Sequence, residues 1–236
     1  MGRGSSKAGG GGGGKTPSGV TYQQFMQMTD DQKYDTINSI LGNQNIQVPN
    51  TLDDSDTTKV IWALGMAQKP TVVSDSQLDT LPGKEIYRTV YESGSMPPPT
   101  TDAVLDEIRN RDYTHMSGRG GSVHGRAIYF ATDFNDSTTY GVGERNPMVM
   151  RAKINPGAKI LRETNLKSQM QNDTNFSSRV KKLSSSRDSQ ALWALSHGID
   201  GWYSGSYTMI VNRGALTASS QNKSINGSSW AGSANK

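Results

Sequence analysis

Cysteine is absent from the chain and histidine occurs only three times. The first absence removes disulfides and thiolate metal sites, and it makes a reducing cytoplasm the expected location, whether of a bacterial host or phage-associated. The second, with no carboxylates spaced for shared coordination, leaves a metal site without support. No apolar run approaches membrane-spanning length, and the N-terminal residues carry no apolar region for secretion, so no membrane partner is expected. Only 33% of the 236 residues are hydrophobic while 26 are glycine, so part of the chain is expected to stay unpacked. The formal charge of +4 favours anionic ligands or nucleic acid but falls short of a dedicated DNA binder.

What is present divides the chain into four parts. Residues 1–19 are glycine, serine and lysine, a composition that cannot offset the entropy of ordering, and they read as a flexible tail. Within them Gly9 to Thr16 matches the phosphate-loop spacing, but no strand precedes it and no hydrophobic helix follows, so nothing holds the backbone amides around a phosphate. The start Met1-Gly2-Arg3-Gly4-Ser5-Ser6 also fits the myristoylation pattern. Residues 20–80 read as a small helical region. Thr29-Asp30-Asp31-Gln32 is a capping box leading into Tyr34, Ile37, Ile40 and Leu41 on one helical face. A second helix is predicted over Lys59 to Gln68, ended by Pro70, with Trp62 and Met66 as core residues, and Ser74 or Ser76 can cap one further turn through Leu78.

Residues 81–216 carry the strand signals. Pro82 and Gly83 introduce the alternating run Glu85 to Tyr91, a predicted strand with Arg88 in it. Thr101 can cap a helix from Asp102 to about Arg111, and a glycine-rich loop follows that holds His115, Arg119 and His124. Gly125 to Tyr140 then reads as a strand through Ile128, Tyr129 and Phe130, a turn at Asp133 to Asp136, and a short helix capped by Asp136 or Ser137. Gly141 to Pro147 is a predicted loop. Strands are predicted over Met148 to Ile154, Ala158 to Leu161 and Tyr207 to Asn212, with a buried-face helix over Ser189 to Ser196. Asn165 to Arg187 is polar, with Arg179, Lys181 and Lys182 close together as a solvated face or a contact for a phosphate-bearing target. Residues 217–236 lose periodicity and read as a polar tail.

The segment Gly125 to Tyr140 resembles the ADP-ribosyltransferase family, in the branch shared by poly(ADP-ribose) polymerases and diphtheria-type toxins. There a G-x-G-I-Y-F-A segment is followed by a serine and a second tyrosine at the spacing of Tyr129, Ser137 and Tyr140. The order of the later elements, about as far as Leu216, is similar too. The resemblance implies an α+β fold in which a split pair of small antiparallel sheets surrounds an NAD cleft. It implies that Tyr140 and Tyr129 sandwich nicotinamide, that Ser137 binds its amide, and that Arg88 and Thr89 on the first core strand contact the rest of NAD. Without it, Tyr129 and Tyr140 read as ordinary core aromatics and Arg88 as a solvated strand arginine.

The resemblance departs at one point. The family places a glutamate at the mouth of its last strands, where it stabilises the charge that develops as nicotinamide leaves. Here Ser206 stands at that position, and no acidic residue lies between Gly201 and Val211. Losing one such preorganised group costs on the order of a hundredfold in rate. Glu92 or Glu144 can replace it from elsewhere, the acceptor can supply it, or the fold can bind an NAD-derived ligand without consuming it. Three functions follow. The first is a mono-ADP-ribosyltransferase with NAD as substrate and a protein or nucleic-acid acceptor, using Arg88, Tyr140 and Ser206. The second is an inactive member of the fold serving as a phage structural or host-interaction protein. The third is a nucleic-acid-binding module using the basic segments.

Overall fold

The computed structural model describes residues 22–41, 56–92, 124–176, 178–179, 186–225 and 231–232. The glycine tail with its phosphate-loop pattern, the helix expected over 102–111, His115, Arg119, Lys181 and Lys182 lie outside them. The architecture is α+β, built on one mixed sheet.

The helical elements start where their capping chemistry places them. Thr29 and Gln32 exchange side-chain-to-backbone hydrogen bonds of 3.0 and 3.3 Å, which opens α2 (Asp30–Leu41) after the short α1 (Tyr22–Met26). Ile37 and Ile40 on α2 are fully buried, as is Phe25 on α1. α3 (Asp56–Ile61) begins three residues before the predicted start and widens over Trp62–Met66 into a π turn, in which Ala67 N donates to Trp62 O at 2.7 Å. Ser74 and Gln77 form a second capping box that opens α4 (Asp75–Thr80).

Among the described residues nine strands form the sheet: β1 (Thr71–Val73), β2 (Glu85–Glu92), β3 (Ile128–Ala131), β4 (Arg145–Ile154), β5 (Ile160–Arg162), β6 (Gly201–Ser204), β7 (Tyr207–Ile210), β8 (Leu216–Ser224) and β9 (Ala231–Gly232). Their order is β1-β8-β4-β2-β3-β7-β6-β5, with β9 on β8. Two small antiparallel sheets were the expectation; the structure has one sheet, with parallel pairs β1/β8 and β5/β6 at its ends. A trace of the split persists. β2 pairs with β4 along most of its length but with β3 only at Tyr87↔Ala131, so the sheet is pinched at its middle.

Two further expectations are corrected here. The stretch from residue 217, read as a polar tail, runs as β8 between β4 and β1, with Leu216, Ala218 and Ser219 fully buried. Its polar residues hid it, and two of them find partners remote in sequence: Thr217 Oγ1 meets Asn155 Oδ1 at 2.6 Å, and Ser219 Oγ bonds Asp75. The region before residue 81 is not purely helical, because the β-branched run after Pro70 becomes β1 and docks on β8. The strand predicted from Met148 also starts earlier, at Arg145, and takes in Pro147, next to the irregular register between Val90 and Glu92.

One helix sits at the centre of the core. Ala191 to Leu195 of α7 (Ser186–Ser196) are all buried, so no side of that stretch faces water. Its C-terminal carbonyls are met by Lys33 of α2, whose Nζ donates to Ser196 O at 2.6 Å. The ammonium sits where the helix dipole favours positive charge. α4 is pinned by charge. Arg151 on β4, nearly buried, reaches Asp75 at 2.7 Å, Asp79 at 2.9 Å and Glu85 at 3.2 Å. Among the described residues no helix is long and apolar enough to cross a membrane.

Two outcomes test this arrangement. Ending the chain after Leu216 removes β8 from the sheet, and the truncated protein is expected to lose cooperative thermal unfolding by circular dichroism; a sharp melt would show that the strand is dispensable. Arg151→Met strands a mostly buried Asp75 carboxylate and is expected to cost about 3 kcal/mol or more in urea unfolding.

Candidate functional site

The site grows from a short helix at the end of β3. Asp133, in extended conformation, accepts from Asn135 N at 2.8 Å and from Asp136 N, and so caps α5 (Phe134–Thr138). The cap is thus Asp133, not Asp136 or Ser137, because its carboxylate is the one that reaches the free amides of the first turn. The chain continues into a 3-10 turn, Thr139–Gly141, so Ser137 and Tyr140, three residues apart, lie on the same side.

Ser137 points into β2. Thr89 Oγ1 donates to Ser137 O at 2.6 Å and lies 2.8 Å from Ser137 Oγ, which is 1% exposed. Since Thr89 has one hydroxyl proton and the carbonyl takes it, the serine proton goes to Thr89. Ser137 is left with lone pairs to offer. Gly141 closes the approach. A Cβ there would lie 2.6 Å from Pro147 Cβ and 3.1 Å from Thr89 Cγ2, so only glycine lets this turn sit against β2.

Tyr140 is the exposed member, with 47% of its surface in solvent. Its hydroxyl bonds that of Tyr207 at 2.5 Å, and the rings meet edge to face at 6.2 Å and 68°. Partial burial first, and then the Tyr207 bond, pushes its phenol above the ordinary range. Tyr129 has a different position from the one expected. Its hydroxyl donates to Gly125 O at 2.7 Å and accepts from His124 N at 3.1 Å, which ties down the turn before β3. The ring facing Tyr140 is that of Tyr207.

Arg88 and Thr89 are adjacent on β2 and therefore point to opposite faces. Arg88 is 8% exposed, and its Nη1 donates to Tyr129 O at 3.1 Å. Continuing the register from Tyr87↔Ala131 would set Thr89 opposite Tyr129, so the guanidinium takes a carbonyl that backbone pairing would otherwise use. Ser206 lies in the two-residue turn between β6 and β7, which Gly205 enters at φ +56°. Its carbonyl accepts from Thr132 N at 2.8 Å, so the turn is held to the end of β3, with Tyr207 next in sequence.

One carboxylate near Tyr207 belongs to a residue that sequence reasoning did not single out. Glu163, 6% exposed, is the first residue of α6 (Glu163–Asn172). Its Oε2 lies 2.7 Å from His124 Nδ1 and its Oε1 lies 2.6 Å from Lys167 Nζ. Burial pushes its carboxyl up, but hydrogen bonds from Lys167, His124 and Ser204 outweigh that and hold it below the ordinary glutamate range. The His124 ring in turn lies 6.1 Å from that of Tyr207, tilted by 32°. The His124 carbonyl accepts from Trp202 Nε1 at 2.7 Å and Gln190 Nε2 at 3.3 Å, so the backbone beneath the imidazole is fixed. Of the two glutamates expected to substitute, Glu92 stands opposite Arg145 in the β2/β4 ladder, and Glu144 is an exposed turn residue beside Tyr91. The one sequence signal for Glu163 is an acidic residue opening a helix directly after a strand.

The basic segment is partly committed within the chain. Arg179 bonds Asp31 at 2.5 Å, and its guanidinium lies 4.1 Å from the Tyr34 ring centre. Among the described residues no group of three or more His, Asp or Glu side chains is placed to hold a metal ion. Comparison with models of protein families, with curated proteins and with solved structures finds no match to this chain.

Two measurements probe this geometry. Gly141→Ala is expected to cost about 1–3 kcal/mol of stability through overpacking against Pro147, read as a lower melting temperature. Because the folded-state pKa of Glu163 is depressed, its contribution is complete above the ordinary glutamate value and drains away as the pH falls through the folded one. From roughly pH 4 downward, the stability of Glu163→Gln should therefore fall less steeply than that of the parent protein.

Proposed function

We propose that this chain binds NAD and transfers ADP-ribose from it, as a mono-ADP-ribosyltransferase, to a protein or nucleic-acid acceptor. The observation that carries the reading is the Thr89–Ser137 hydroxyl pair, 2.8 Å apart, one helical turn from the half-exposed Tyr140. Nicotinamide is a flat ring bearing a carboxamide. A tyrosine face suits the ring, and a serine whose own proton is already engaged suits the amide N–H. Tyr207, bonded to Tyr140, supplies the second aromatic wall. Arg88, at the pinch between β2 and β3, supplies the cation that a diphosphate or ribose needs. The spacing of Tyr129, Ser137 and Tyr140 and their family resemblance support the same reading.

One observation favours a second reading, a member of the same fold that holds the ligand without consuming it. Ser206 supplies no charge where the resemblance leads one to expect a carboxylate. A phage structural or host-interaction protein would use the cleft in this way.

The test is incubation of the full chain with labelled NAD and lysate protein or nucleic acid. Label transfer is expected, and Tyr140→Ala and Arg88→Ala should each abolish it. Because Arg88 also serves the Tyr129 carbonyl, the melting curve of each variant must show that it is folded. NAD at a hundredfold excess over its Kd should stabilise the parent protein by about 2.7 kcal/mol. Stabilisation without transfer selects the non-consuming reading, and neither effect refutes both.

A further inference from the structure

We infer that His124, oriented by Glu163, is the base that takes the proton from a hydroxyl nucleophile, so that the acceptor at this site is an alcohol or water rather than a carboxylate. The inference rests on the NAD-transfer reading above and names the acceptor chemistry for that same cleft.

It begins with the imidazole. An ionised carboxylate only accepts hydrogen bonds, so at neutral pH the 2.7 Å contact between Glu163 Oε2 and His124 Nδ1 requires the proton on Nδ1. The Nε2 lone pair is then free to accept a proton. The ring lies against Tyr207, which is bonded to Tyr140, so the imidazole and the exposed tyrosine flank the same side chain. A carboxylate acceptor arrives already deprotonated and has no use for such a base. An alcohol or water does.

Each transfer balances without a further reactant. The bond from ribose C1′ to the pyridinium nitrogen breaks, and its electron pair stays on that nitrogen, releasing neutral nicotinamide. The hydroxyl oxygen forms the new bond to C1′. Its proton passes to His124 Nε2 and from there to solvent, while Glu163 steadies the imidazolium. Glu163 acts here as a positioning residue. Among the described residues, Tyr207 on β7 and Tyr129 on β3 touch His124, Lys167 on α6 pairs with Glu163, and Arg126, two residues on, pairs with Asp188 on α7.

The experiment follows nicotinamide release from NAD by the full chain at neutral pH, with water, an added simple alcohol, or azide as nucleophile. His124→Ala should lose about a hundredfold of the rate with water or alcohol. Azide is anionic and needs no base, so it should restore most of the loss. Glu163→Gln removes the anion that orients the ring, so it should lose part of the same rate, and azide should restore that loss too. The His124 variant keeps the carbonyl that Trp202 and Gln190 use, so it is expected to fold and to bind NAD, as a thermal shift would show.

A folded, NAD-binding His124→Ala with the parent rate overturns the inference and leaves the NAD reading standing. A parent protein that binds NAD but releases nicotinamide with none of the three nucleophiles also overturns the inference, and leaves only the non-consuming reading. A parent protein that does not bind NAD overturns the underlying reading, and the inference falls with it.

Discussion

The structure depends on how β2 and β3 part company. They share a single register pair, Tyr87↔Ala131, after which the ladder between them stops. A buried carbonyl left unmet at such a place costs on the order of 1–3 kcal/mol, and Arg88 meets that of Tyr129 with its guanidinium. The strands can therefore diverge without leaving that carbonyl unmet. On one side of the divergence β2 continues against β4 and β8; on the other, β3 continues against β7 and β6. Thr89, Ser137 and Tyr140 sit with the first half and Tyr207 with the second, and the Tyr140–Tyr207 hydroxyl bond joins the two.

Two locks hold the halves in register at the site. From the first half, Thr89 grips the carbonyl and hydroxyl of Ser137, and Gly141 lets the turn carrying Tyr140 settle against β2. From the second, Thr132 N bonds Ser206 O, which holds the β6–β7 turn beside the end of β3 and brings Tyr207 to Tyr140. β5 and β6 then deliver Glu163 under His124 by parallel pairing. A charged group buried this far needs its bonds to Lys167, His124 and Ser204, and those bonds also fix the imidazole above it.

Much of the local structure could be read from residue chemistry. Both capping boxes form as their residue types require, and the alternation from Glu85 to Tyr91 yields a strand. The spacing of Ser137 and Tyr140 puts them on one side of a helical turn. The failures share a cause. β8 carries threonine, serine, glutamine and asparagine, which signal exposure unless a distant partner satisfies them, and Asn155 and Asp75 do so here. The family resemblance led to Tyr129 being expected at the nicotinamide ring, but its hydroxyl is taken by the Gly125 and His124 backbone.

Taken alone, the amino-acid order determined what short-range chemistry can determine. It set where helices begin, which runs form strands, and which serine and tyrosine share one turn, because caps and periodicity act over a few residues. Tertiary structure decided the rest: that Tyr207 rather than Tyr129 faces Tyr140, that a polar stretch fills a strand between β1 and β4, and that a glutamate 39 residues from His124 becomes its partner. Those outcomes depend on contacts between remote segments. Nothing in the local sequence specifies such contacts, because each becomes favourable only once the intervening chain has folded.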